Sequence, residues 1–135
     1  KSPVQHHMGV ISELSDASSV VVFSRMLDFI ETDDEWLNRC RSTFKHGSPF
    51  SAHVIWEQLN RGRMLSLADV FRRELDMATN MTNHPDFSEG VRALLIEKCR
   101  QPKWTWDKIE DVDLNVVESM FESPWAPEEH PFRGW

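Results

Sequence analysis

The 135-residue sequence predicts an all-α fold of five or six short helices. Apolar residues recur every three to four positions through most of the chain, the period of one helix face. Start chemistry precedes the periodic stretches: a hydroxyl or carboxylate residue, often with a second carboxylate three positions on. β alternation is not sustained anywhere. Val20-Val21-Val22-Phe23 has strand propensity, but its flanks read as helix.

Each element follows from these rules. Ser18 or Ser19 caps a helix to about Ile30, with Val22, Met26, Leu27 and Ile30 inward. Thr32-Asp33-Asp34-Glu35 reads as a capping box with Thr32 at the cap, and the helix after it puts Trp36, Leu37, Cys40 and Phe44 on one stripe. That helix stops at His46-Gly47, with glycine at the C-cap. Ser48-Pro49 starts the next, with proline at its favoured first position; Ala52, Ile55, Trp56 and Leu59 form its apolar face and Gly62 ends it. Ser66 and Asp69 open a helix that buries Leu67, Val70, Phe71, Leu75 and Ala78 and ends near Asn80–Asn83. Asp86 with Glu89 opens another, carrying Phe87, Val91, Leu94 and Leu95, with Pro102 beyond its end. A short helix covers Asp113 to Phe121. Three segments result: an N-terminal segment 1–17, a helical domain 18–121, and a Pro/Trp-rich extended tail 122–135.

Composition narrows the function. The 15 basic and 22 acidic residues give a net charge of −7, the opposite of a general nucleic-acid binder. The longest uncharged apolar run, Val20–Phe23, is far too short to span a bilayer. Cys40 and Cys99 have no C-x-x-C partner, which argues against a structural zinc site and for two free thiols in a reducing compartment. His6-His7 lacks the i, i+4 spacing of a helical metal pair and reads as a solvated terminus. A catalytic Cys40 would need a base, and His46 reaches it only if the helix end bends back. The carboxylate pairs Asp33/Asp34, Glu110/Asp111 and Glu128/Glu129 lie in polar runs and read as caps and solvated faces. Lys45, Arg61, Arg63, Arg72 and Arg73 form a mild basic region that suits either a phosphate or the chain's own carboxylates. Six tryptophans are many for this length. Trp36 and Trp56 fit core stripes, whereas Trp104, Trp106, Trp125 and Trp135 fall in irregular or terminal segments and ask for a surface to dock on. No tight glycine loop offers the paired N–H groups of an oxyanion hole.

One stretch is more specific. His84-Pro85-Asp86-Phe87-Ser88-Glu89-Gly90-Val91-Arg92-Ala93-Leu94-Leu95-Ile96-Glu97-Lys98, followed by Gln101-Pro102-Lys103-Trp104, resembles the C-terminal signature of the 3-hydroxyisobutyryl-CoA hydrolases, H-D-F-x-E-G-V-R-A-x-L-I-D-K and then S-P-K-W. Ser48-Pro49-Phe50-Ser51 and Leu67-Ala68-Asp69-Val70-Phe71-Arg72-Arg73-Glu74 are similar to helix starts of the same family, which belongs to the enoyl-CoA hydratase/isomerase (crotonase) superfamily. The order and spacing fit from about Ser48 to Phe121; the tail departs from the family's ending.

The resemblance implies a helical C-terminal segment without the β-containing spiral core, which carries the catalytic residues and oxyanion amides. It implies no catalytic residue and no metal or other cofactor in this chain, with acyl-CoA as substrate of the complete protein. Lys98 and Lys103 would face CoA phosphates. Glu89 would cap its helix, Gly90 would allow a close contact, Arg92 would pair with a carboxylate or touch the core, and Trp104 would pack. The partner would be the N-terminal core of the same protein, in a homo-oligomer or larger assembly, without membrane or direct nucleic-acid contact. The setting would be mitochondrial, in valine breakdown. The other function is a non-catalytic interaction module, such as a crotonase-like component of a mitochondrial ribosome.

Overall fold

A computed structural model describes Ser2–Gly134; Trp135, expected to dock with the tail, lies outside the described residues. Among the described residues every regular element is helical, as the sequence predicts. Eight are α-helices, more than five or six, because two short helices also close at the start of the chain. The chain divides into two compact units, Lys1–Gly47 and Ser48–Trp135; the boundary falls inside the span 18–121 that the sequence reads as one domain.

The first unit holds α1 (Pro3–His6), α2 (Met8–Ser15), α3 (Val20–Phe29) and α4 (Glu35–His46). The start of the chain is helical because Ser2 and Gln5 form a reciprocal capping box ahead of Pro3. Ser19 caps α3 by accepting the Val22 N–H at 3.2 Å. Asp34, not Thr32, caps α4: its carboxylate accepts the Leu37 N–H at 2.9 Å, while the Thr32 hydroxyl accepts the Asp34 N–H at 3.1 Å. The cap moves two residues because the carboxylate takes the helix N–H and leaves the hydroxyl to shape the turn before it. Arg41 on α4 donates to the carbonyls of Leu27 and Ile30, satisfying groups that the end of α3 leaves open. Gly47 ends α4 in extended conformation, φ −72°, so its glycine freedom is not used.

The second unit holds α5 (Pro49–Gly62), α6 (Leu67–Thr82), α7 (Pro85–Val91), a π-helical turn (Arg92–Ile96), a 3₁₀ turn (Ile109–Asp111) and α8 (Leu114–Ser119). Caps again are local: Ser48 accepts the Ser51 N–H, Ser66 that of Asp69, and Asp113 that of Asn115. His84 rather than Asp86 caps α7, so the helix starts with Pro85.

The core joins Phe50 and Val54 of α5 to Val112, Val117 and Met120. This corrects the expected face of α5. Ile55 and Leu59 are 59% and 67% exposed, whereas Phe50 is fully buried. The apolar residues of α5 wrap most of the helix, and the C-terminal elements that cover it choose the 50/54 side. The same choice leaves Leu67 and Phe71 of α6 exposed and packs Met77 and Met81 on the core instead. Phe87 is exposed as well. Leu94 and Leu95 are exposed while Ala93 is fully buried, because the helix after Val91 widens into a π turn that shifts the facing of these residues.

Phe50→Ala should lower the unfolding free energy of the second unit by about 3–5 kcal/mol, and Ile55→Ala by no more than about 1 kcal/mol. Chemical denaturation followed by circular dichroism checks the pair; equal losses would return Ile55 to the core.

Candidate functional site

The two halves of the 84–104 motif bind each other. The junction is built on Asp86, in the first turn of α7 and only 4% exposed. Its carboxylate accepts the Thr105 N–H at 2.8 Å and the Thr105 hydroxyl at 2.7 Å on one oxygen, and the Ser48 hydroxyl on the other. Three segments far apart in sequence therefore meet on one buried charge. His84 sits beside it, accepting the Asp86 N–H at 3.2 Å through Nδ1. Its ring stacks on Phe50 at 3.9 Å and lies parallel to Trp106 at 5.9 Å. Burial holds the His84 imidazole below the usual histidine range, with the Asp86 charge opposing.

One turn further on, Glu89 does not return to its own helix start. Its carboxylate accepts two N–H groups of Arg92, and the same oxygen that meets Arg92 Nη2 accepts the backbone N–H of Lys103 at 2.6 Å. The Arg92 pair, with the Lys103 N–H, holds the Glu89 carboxyl down at about 2. Arg92 also pairs with Glu97, and this network holds its guanidinium firmly charged. Gly90 leaves room for Trp104: a Cβ there would lie 3.4 Å from the indole. Glu89, Gly90, Arg92 and Trp104 thus form one clamp, and the loop between Glu97 and Thr105 is pinned at Lys103 and Thr105.

The loop itself is unusual. Lys98 and Arg100 both take left-handed backbone conformation at φ 56°, where glycine is the ordinary choice. Lys98, Arg100 and Lys103 are all exposed. Lys98 terminates the π turn, while Lys103 is held through its backbone and leaves its ammonium outside. Sequence reasoning named Lys98 and Lys103 but missed Asp86 as the junction and Arg100 as a cation of the loop. No local pattern marks either: the partners of Asp86 lie 38 and 19 residues away.

The other candidates resolve into structure. The His46 ring bonds the Ser42 carbonyl of its own helix at 2.7 Å, and Cys40 and Cys99 are free thiols in different units. Arg61 pairs with Glu57 and Glu118 and lies over the Phe121 ring, and Arg72 pairs with Asp69. Among the described residues no group of three or more histidine, cysteine or carboxylate side chains is placed to hold a metal ion.

Three outcomes test the clamp. Because Glu89 titrates at about 2 when folded and near 4.5 when unfolded, its contribution is complete above about pH 4.5 and fades as pH falls toward 2. Glu89→Gln should flatten that part of the stability–pH curve measured by thermal melting. Gly90→Ala should leave stability within about 1 kcal/mol, since the indole contact is an ordinary one and alanine favours helix. Gly90→Val should displace Trp104, seen as a shift in tryptophan emission.

The sequence profile described as Enoyl-CoA hydratase/isomerase matches residues 1–121. The chain is 35% identical over 117 residues to the mitochondrial 3-hydroxyisobutyryl-CoA hydrolase of Dictyostelium discoideum, covering 86% of this chain and 30% of that protein. It is 29% identical over 130 residues to 3-hydroxyisobutyryl-CoA hydrolase-like protein 5 of Arabidopsis thaliana, covering 90% and 34%. A solved enoyl-CoA hydratase from Rhodobacter sphaeroides 2.4.1 superposes with a TM-score of 0.79 at 22% identity, over 92% of this chain and 36% of that one. The chain therefore spans about a third of the length of the proteins it resembles. It belongs to the enoyl-CoA hydratase/isomerase family, and its relatives there include 3-hydroxyisobutyryl-CoA hydrolases.

Proposed function

We propose that this chain is the helical C-terminal part of a CoA-thioester hydrolase that acts on 3-hydroxyisobutyryl-CoA or a similar acyl-CoA. In this reading it supports the catalytic core and frames the CoA nucleotide, and the core carries out the hydrolysis. The observation that carries it is the clamp. Two carboxylates, Asp86 and Glu89, hold a loop that leaves Lys98 and Lys103 exposed, where their ammonium groups are available to a phosphate. Names among the relatives support a mitochondrial setting; valine breakdown is the pathway this reading assigns.

The exposed apolar residues support a covered surface. Leu94, Leu95 and Ile96 on the π turn, and Ile55, Leu59, Leu67 and Phe71 on α5 and α6, are more than a lone small domain ordinarily leaves in water. The spiral core of the same protein is the occupant this reading gives them.

Titration of the chain with coenzyme A and with 3′-dephospho-coenzyme A tests the proposal. Saturable binding of coenzyme A is expected, tighter than that of the dephospho form, and weakened about tenfold by Lys98→Ala with Lys103→Ala. Absence of binding at millimolar coenzyme A would remove the nucleotide contact and favour the non-catalytic interaction module.

A further inference from the structure

The family profile stops at residue 121, yet the residues after it are held in place. Three side chains do this. Arg72, Asp76 and Asn80 lie four apart along α6, so they form one line on one face of the helix. Asn80 donates to the carbonyls of Met120 at 3.0 Å and Glu122 at 2.8 Å. Asp76 accepts the Ser123 hydroxyl at 2.8 Å and faces His130 Nε2 at 3.4 Å. Arg72 donates to the carbonyl of Phe132 at 3.0 Å.

The tail is shaped to meet this line. His130 is 7% exposed, with the Trp125 ring edge-on to it at 5.3 Å. Its Nδ1 accepts the Phe132 N–H at 3.0 Å, and its Nε2 faces Asp76. Between the two attachments, Pro127, Glu128 and Glu129 are exposed. The tail is thus fastened at both ends, with a turn between them in which the Glu129 N–H donates to the Ala126 carbonyl at 2.9 Å. Two of the three side chains recognise backbone carbonyls, which any peptide offers. The third, Asp76, selects a hydroxyl and an imidazole.

We infer that the Arg72–Asp76–Asn80 face of α6 is a docking rail for a peptide folded in turns and bearing serine, histidine and aromatic residues, occupied in this chain by its own residues 122–132, which the sequence predicts as extended, acting as a strap. The inference rests on the geometry of the second unit alone and is independent of coenzyme A.

The test uses the full chain and a fluorescein-labelled synthetic peptide of residues 122–134. A chain carrying His130→Ala and Phe132→Ala, with the strap crippled and the rail intact, should bind the peptide saturably by fluorescence anisotropy. The unaltered chain should bind it about tenfold more weakly, because its own strap competes at millimolar effective concentration. Adding Arg72→Ala and Asp76→Ala to the crippled chain should abolish binding. Equal binding by all three chains, or none by the crippled chain at unchanged helix content, would overturn the rail. Hydrogen exchange on the unaltered chain gives a second check that requires no variant. The Glu129, Phe132 and Arg133 amides, each hydrogen-bonded in the strap, should exchange well below the free-peptide rate; free-peptide rates there would overturn the strap.

Discussion

The buried carboxylate of Asp86 is the constraint on which the second unit depends. Among the described residues it has no ion-pair partner, and it is satisfied by neutral donors from two other segments, the Ser48 hydroxyl at the start of α5 and the Thr105 backbone and hydroxyl. Burying a carboxylate costs several kcal/mol unless its oxygens are filled, and each hydrogen bond to a charged group returns about 1.5–3 kcal/mol. The charge is therefore stable only when the start of α5, the first turn of α7 and the loop at Thr105 all meet. The aromatic stack of Phe50, His84 and Trp106 lies at the same meeting point, where Phe50 also enters the apolar core. Polar and apolar packing thus fix one and the same arrangement.

That arrangement explains how a strained loop persists. Two non-glycine residues in left-handed conformation cost roughly 1–2 kcal/mol each, and the π turn before them has poorer hydrogen-bond geometry than an α-helix. The loop between Glu97 and Thr105 cannot relax, because Glu89 fixes the Lys103 N–H and Asp86 fixes Thr105. Glycine at 98 or 100 would remove the strain together with a cation.

What the sequence disclosed and what it withheld divide by range. Ser19, Ser48, Ser66 and Asp113 were legible as helix starts because a cap needs only residues two or three positions away. Where two cap chemistries compete within a few residues, as at Thr32 and Asp34 or at His84 and Asp86, local rules place the helix but not its first residue. The facing of α5 was not legible. Phe50 and Val54 are chosen by Val112, Val117 and Met120, and no periodicity within α5 encodes that choice. The site was legible only through its resemblance. The spacing of Glu89, Gly90, Lys103 and Trp104 has no meaning along the chain. It becomes clear once Glu89 is seen to hold the Lys103 amide and Gly90 to make room for the indole.

α6 joins the two halves of this economy. Its N-terminal and middle turns carry Arg72 and Asp76, which hold the tail, and its last turns carry Asn80, which gathers three carbonyls where α8 gives way to the tail. Asn80 precedes the cap residue His84 by only a helical turn. A helix transmits rotation and translation along its axis because its turns are cross-linked by hydrogen bonds. The helix that holds the tail thus ends directly before the helix that carries the clamp. Met77 and Met81, on the same helix, pack against the core and oppose its displacement. Release of the strap would remove the polar restraint on α6 and leave the methionine contacts and the Asp86 junction to hold it. Those are the interactions that also fix the position of the Lys98–Lys103 loop.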